Sequence, residues 1–157
     1  MEGIIKEILT NGLKADLSHV DPVEALSGLS HKEAAQELNP DQYSSWELLY
    51  HAVYWQERIL DAIKGKPVNW DEAAESDWPS YEEQEEHSWD ELVEKFEHGL
   101  EEAERLIDSV DADAPLHRWR DMPAARAFMI LELHNSYHLG QIVANRKMQG
   151  SWPPVPG

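Results

Sequence analysis

Two histidines one helical turn apart, His134 and His138, are the residues of this chain best placed to do chemistry. Residues four apart on a helix lie about 40° from one another around the axis, so both imidazoles can converge on one point beside it. Gln141 and Asn145 continue the same polar stripe, on a segment that also carries Ile130, Leu131, Leu133, Ile142 and Val143. Polar groups set among apolar ones need partners. A divalent metal held by the two imidazoles is one such partner. Eight histidines in 157 residues give such a pair by chance often enough that spacing alone leaves hydrogen-bonded core histidines as an equal reading.

The elements that must position this pair belong to a chain whose length predicts one domain, over residues 1–157, with a core that needs no staples. The absence of cysteine excludes disulfides, thiolate metal sites and Cys nucleophiles. Asp and Glu number 31 against 13 Lys and Arg, a formal charge of −18. Such a surface repels phosphates, which disfavours nucleic acid and anionic membranes as partners. No apolar run approaches the length of a membrane span, and the N-terminus lacks the basic and apolar regions of a signal peptide. A cytoplasmic location is therefore expected. With 41% apolar residues and seven tryptophans the chain is not a disordered acidic tail.

Apolar residues recur with helical period from Ile4 to Leu13 and predict a first helix over residues 1–17. A long connection follows. In it Ser30 and Glu33 form a capping-box pattern that predicts a short helix over 31–38, stopped by Asn39-Pro40. Ser44 and Glu47 open a second long helix that runs to Gly65 and carries His51. One histidine among Leu48, Trp55 and Ala62 is by itself more often a core residue than a ligand. Residues 66–87 read as an acidic linker, but Trp70, Trp78 and Tyr81 in it suit a cover over the mouth of a site. Ser88 and Glu91 open a third helix over 88–110, on whose outer face His98 is expected to be solvated. After a turn region over 111–122, a fourth helix is expected over 123–149, with Pro123 at its first position and Gly150 as its stop. The Trp of the Ser151-Trp152-Pro153-Pro154 tail is expected to dock on the bundle. Four long amphipathic helices predict an all-α four-helix bundle, an architecture that builds metal sites from facing helices.

Two segments carry a more specific signal. The stretch Trp46-Glu47-Leu48-Leu49-Tyr50-His51-Ala52-Val53-Tyr54-Trp55, followed much later by Leu133-His134-Asn135-Ser136-Tyr137-His138-Leu139-Gly140-Gln141-Ile142, resembles the DinB-like (YfiT-like) superfamily. The resemblance extends over nearly the whole chain, including Trp78-Pro79 and the Ser151 to Pro154 tail. It implies a four-helix bundle with up-down-down-up wiring and a divalent metal, zinc or nickel, held by three histidines. Carried over position by position, these ligands are His51, His134 and His138. Characterised relatives include transferases that attach bacillithiol or mycothiol to small electrophiles, and a mycothiol-dependent isomerase. The family's damage-inducible name refers to expression in a stress response, not to polymerase activity.

Three neutral imidazoles leave positions open for water or substrate, the mark of a catalytic rather than a closed structural site. Gln141 is a candidate to orient a ligating histidine or to contact substrate. Arg58 is a candidate to hold a substrate carboxylate, with an exposed salt bridge as its simpler role. No catalytic residue beyond the ligands is identified, and Glu47, one turn before His51, is the alternative third ligand. The function readings are a metal-dependent thiol S-transferase, a non-catalytic metal- or ligand-binding bundle, and a metal-dependent hydrolase. The partners implied are a small thiol and an electrophile. A homodimer is also expected, since family members often form one, although the −18 charge opposes it at low salt.

Overall fold

The computed structural model describes residues 2–155, in which four long helices bundle with short helices in their connections. These are α1 (Glu2–Leu13), α2 (Pro22–Leu26), α3 (His31–Ala34), α4 (Ser45–Ile63), α5 (Trp70–Glu75), α6 (Tyr81–Glu86), α7 (Trp89–Ser109) and α8 (Ala124–Met148). Residues 115–116 and 122–123 pair as a minimal antiparallel ribbon, β1 (Pro115–Leu116) with β2 (Met122–Pro123).

Local chemistry sets the helix ends. Ser44 and Glu47 cap α4 reciprocally, as Ser88 and Glu91 cap α7 and Ser30 and Glu33 cap α3. Each box satisfies backbone N–H groups that the first turn leaves orphaned. Gly65 (φ 79°) and Gly150 (φ 76°) occupy the left-handed position that ends α4 and α8. At both ends the two following N–H groups turn back onto helix carbonyls, Lys66 to Asp61 and Ser151 to Arg146 among them.

Cross-helix pairs fix the wiring. Lys6 Nζ donates to the Asp108 carbonyl and Lys14 pairs with Glu104, so α1 and α7 are antiparallel. Trp46 Nε1 reaches the His87 carbonyl, Gln56 Nε2 the Phe96 carbonyl, and Lys64 pairs with Glu102, so α4 and α7 run parallel. Asn135 bonds Gln56 and Asn145 bonds Ser45, so α8 runs antiparallel to α4. In chain order the long helices are therefore up, down, down, up. The core has one cluster around Trp46, Trp89, Phe96 and Ile142, and another around Leu9, Leu60, Phe128 and Leu131. Trp152 packs half-buried against the first, docking the tail as expected. Among the described residues no helix is long and apolar enough to cross a membrane.

Several boundaries differ from expectation. The first helix stops at Leu13 rather than residue 17, because Ala15 (φ 53°) and Leu17 (φ 58°) adopt left-handed backbone that cannot continue it. Its expected start at Met1 lies outside the described residues. The short helix at Ser30 ends at Ala34, not residue 38. Residues 66–87 are not a plain loop but contain α5 and α6, the latter with its own Ser80–Glu83 capping box. The turn region over 111–122 holds β1 and the start of β2. Pro123 (φ −61°, ψ 142°) is the residue before α8 rather than its first, because its extended ψ keeps it on the ribbon.

Candidate metal centre

Antiparallel packing of α8 on α4 brings His51 opposite the turn that carries His134 and His138. One ring nitrogen from each of the three lies within 4.8 Å of the other two. Ring centroids are 5.1 Å apart for His51 and His134, 4.7 Å for His51 and His138, and 4.5 Å for His134 and His138. His51 and His138 are buried, each 6% exposed, and His134 is half-buried.

The hydrogen bonds around two rings settle which nitrogen carries the proton. His51 Nδ1 donates to the Asp77 carbonyl at 2.8 Å, and His138 Nδ1 donates to Gln141 Oε1 at 2.7 Å. Neutral imidazole has one N–H, so both rings keep an unprotonated Nε2. His138 Nε2 lies 3.1 Å from His134 Nε2. Without a cation, that contact requires His134 to carry its proton on Nε2, which leaves His134 Nδ1 as an acceptor. Nδ1 is buried with no hydrogen-bond partner. Two free lone pairs and a third ring nitrogen at one point are the donor set that zinc or nickel takes. The residues present therefore fit a divalent ion.

Burial holds all three imidazoles below their usual pKa, His134 down to about 4 with the neighbouring His138 and His51 adding to the effect. The Asp77 carbonyl and carboxylate oppose this at His51, and Gln141 opposes it at His138. The site is thus neutral and ready to ligate at pH 7.

The linker expected to cover a site does so. Trp78 stacks on His51 with centroids 4.0 Å apart, and Tyr43 stacks on the outer face of Trp78 at 3.6 Å. Asp77 serves twice, its carbonyl fixing His51 and its carboxylate accepting from Trp55 Nε1 at 3.0 Å. The aromatic content of the linker signalled Trp78. Nothing signalled Asp77, because every residue has a carbonyl.

Gln141 sits where a histidine-orienting group is needed. Arg58 is not brought to the triad. Its guanidinium lies 3.2 Å over the Tyr54 ring and donates to the Tyr54 carbonyl, one turn back on its own helix. There it lines a cleft of about 690 Å³ with Tyr50, Glu57, Asp61, Asn69 and Lys95, to which no triad histidine contributes. Glu47, the alternative ligand, has its carboxylate engaged by the Ser44 N–H at 2.8 Å in the capping box. His98 is exposed, as expected.

A comparison with protein families matches residues 20–142 to the DinB superfamily. The chain belongs to that superfamily. Searches among curated proteins and among solved structures found no match. The DinB match spans all three triad histidines, and leaves α1 and the Ser151 to Pro154 tail outside it.

Proposed function

We propose that this DinB-superfamily protein binds a divalent ion, zinc or nickel, through His51, His134 and His138 and transfers a low-molecular-weight thiol, such as bacillithiol or mycothiol, to small electrophiles in the cytoplasm. The observation that carries the reading is the convergence of three imidazole nitrogens, two with their opposite nitrogen already tied down. An ion bound there supplies Lewis acidity, which makes a coordinating thiol a thiolate at neutral pH. The protein's own part is orientation and exclusion. Asp77 and Gln141 aim Nε2 of His51 and His138 inward, burial keeps the rings neutral, and the Trp78–Tyr43 stack shields the His51 side from water.

The test is to incubate purified protein, loaded with zinc or nickel, with a panel of low-molecular-weight thiols and a chromogenic electrophile. Turnover that depends on the metal and disappears in His138→Ala supports the reading. Metal binding without turnover for any thiol favours the non-catalytic binding bundle, and hydrolysis of an ester or amide without added thiol favours the hydrolase. Failure to bind either metal removes all three.

A further inference from the structure

The cleft that holds Arg58 is separate from the triad and keeps unspent charge of both signs. Its floor is one face of α4, where Tyr50, Tyr54 and Asp61 recur at helical spacing. Helix α7 forms one wall through Leu92 and Lys95, and the linker forms the other through Glu72 and Glu83. At about 690 Å³ the cleft has the size of a small-molecule site. With 31 Asp and Glu in the chain against 13 Lys and Arg, each cation has carboxylates to spare. Yet among the described residues neither Arg58 nor Lys95 forms an ion pair. Arg58 spends only Nη1, on the Tyr54 carbonyl at 2.9 Å, and Lys95 Nζ donates to no described residue. The Tyr54 ring, 3.2 Å below the guanidinium, holds Arg58 in place. The carboxylates of the cleft divide into used and unused. Lys64 and Lys66 take Asp61, and the Tyr50 hydroxyl and the Ser80 N–H take Glu83. Glu72 accepts through one oxygen only, from Asn69 Nδ2, and Glu57 is exposed with no ion pair or hydrogen bond.

We propose that this cleft binds a small α-amino acid with an apolar side chain as its zwitterion, the carboxylate on Arg58 and Lys95 and the ammonium on Glu57 and Glu72. Nε and Nη2 of Arg58, the two groups left unspent, are a pair that grips a carboxylate side-on. A bare anion would meet Arg58 and Lys95 but also face Glu57, Glu72 and Glu83. A bare cation would meet those carboxylates but also face Arg58 and Lys95. A ligand with both charges leaves neither set facing only its like. Glu57 and Arg58 are consecutive on α4, so opposite charges stand side by side at the floor, as suits a carboxylate and an ammonium on one carbon. Val53, Val68 and Leu92 supply apolar surface for the side chain. No triad histidine lines the cleft, so this inference stands apart from the metal reading.

Isothermal titration calorimetry of the full chain at pH 7 tests this with L-phenylalanine and L-leucine. Each is run beside the acid that lacks its amine and the amine that lacks its carboxylate. The expected result is one site per chain. The tighter amino acid should bind at least about 10-fold better than both of its analogues, because each analogue forfeits a charge-assisted contact and faces like charge. Adding zinc should leave that affinity unchanged. Arg58→Met should weaken the amino acid and the acid about 10-fold or more, and spare the amine. Lys95→Met, at an exposed position, should shift the same two ligands and serves as the second variant if Arg58→Met loses its far-ultraviolet circular dichroism. Glu57→Gln should do the reverse, weakening the amino acid and the amine while sparing the acid. No binding of either amino acid at millimolar concentration would overturn the inference, as would an analogue that binds as tightly as its amino acid, or affinity indifferent to the loss of Arg58 and of Lys95. Binding that appears only with zinc would place the ligand at the triad and overturn it too, whereas failure of the triad to take metal would leave this cleft as it is.

Discussion

Replacing Gln141 by Leu is the sharpest probe of the candidate metal centre. Gln141 Oε1 accepts the His138 Nδ1 proton at 2.7 Å, a side-chain contact that substitution can remove, whereas His51 Nδ1 is hydrogen-bonded by the Asp77 backbone carbonyl, which no substitution removes. Without it, His138 is free to move its proton to Nε2, the nitrogen that must ligate, and to rotate about its side-chain bonds. The lost hydrogen bond is worth about 1–1.5 kcal/mol, close to a factor of 10 in affinity. Partners of ligating histidines typically contribute about 10–100-fold, which brackets the same figure. Gln141 is half-buried at the rim, so unfolding stability should change by less than about 1 kcal/mol. Gln141→Glu places a stronger acceptor at the same point and should match or exceed wild-type affinity at pH 8. The assay is zinc competition against a chromophoric chelator at pH 8, with a urea titration of each metal-free variant alongside. Wild-type affinity in Gln141→Leu would refute the argument that this hydrogen bond aims His138.

His134→Ala and His51→Ala should each weaken metal binding at least about 100-fold in the same competition assay, because two imidazoles remain where three converge. Unchanged affinity in His51→Ala would remove His51 from the ligand set. Gly99→Ala should destabilise the protein by about 2–4 kcal/mol in urea, since a Cβ there would lie 1.8 Å from Gln56 Nε2 and displace a buried, hydrogen-bonded amide; a change below about 0.5 kcal/mol would contradict it. Glu132 gives a pH signature: burial with no hydrogen bond to Oε1 pushes its carboxyl up to about 7 from 4.5, so the unfolded chain is the more acidic form and this group lowers stability as pH rises through that window. Metal-free Glu132→Gln should therefore exceed wild type by roughly 1–2 kcal/mol at pH 8, after allowing for solvent screening, and match it near pH 5. A difference that does not vary with pH would show that Glu132 is not buried in its charged form.

The parts of the structure written in short-range patterns were legible. Ser44–Glu47, Ser88–Glu91 and the two stop glycines delimit α4, α7 and the end of α8 to within a residue or two. His134 and His138 were legible for the same reason, both sitting on one helix where spacing alone fixes direction. His51 was not, since its approach depends on the register of α4 against α8; the family resemblance supplied it. Periodicity also misjudged segments held by tertiary contact. The acidic linker holds two helices of six residues, α5 capped by Asn69 and α6 by its Ser80–Glu83 box, too short for an apolar period to show, and strands of two residues leave no period to read. Arg58 shares a helical stripe with His51, but a long side chain need not point where its Cβ does, and this one folds back onto Tyr54.

The register that makes the triad is set by two buried amides rather than by the histidines. Asn135, beside His134, donates to Gln56 Oε1 at 3.0 Å, and Gln56 in turn donates to the Phe96 carbonyl at 3.1 Å, so one polar chain ties α8 to α4 and α4 to α7. Asn145 donates to the Tyr43 carbonyl at 3.0 Å at the other end of the same interface. These two contacts bracket the level at which His51 meets His134 and His138. A slip of α8 by one turn, about 5.4 Å, would break both and leave buried amides without partners, a larger penalty than the apolar contacts alone would impose, because leucines and alanines repack more readily than amides find new partners. Gly99 belongs to this device, since only a residue without Cβ lets α7 approach closely enough for Gln56 to reach the Phe96 carbonyl. The bundle thus holds three imidazoles in convergent positions by means that do not call on a metal, so that a divalent ion would meet a site that folding has already assembled.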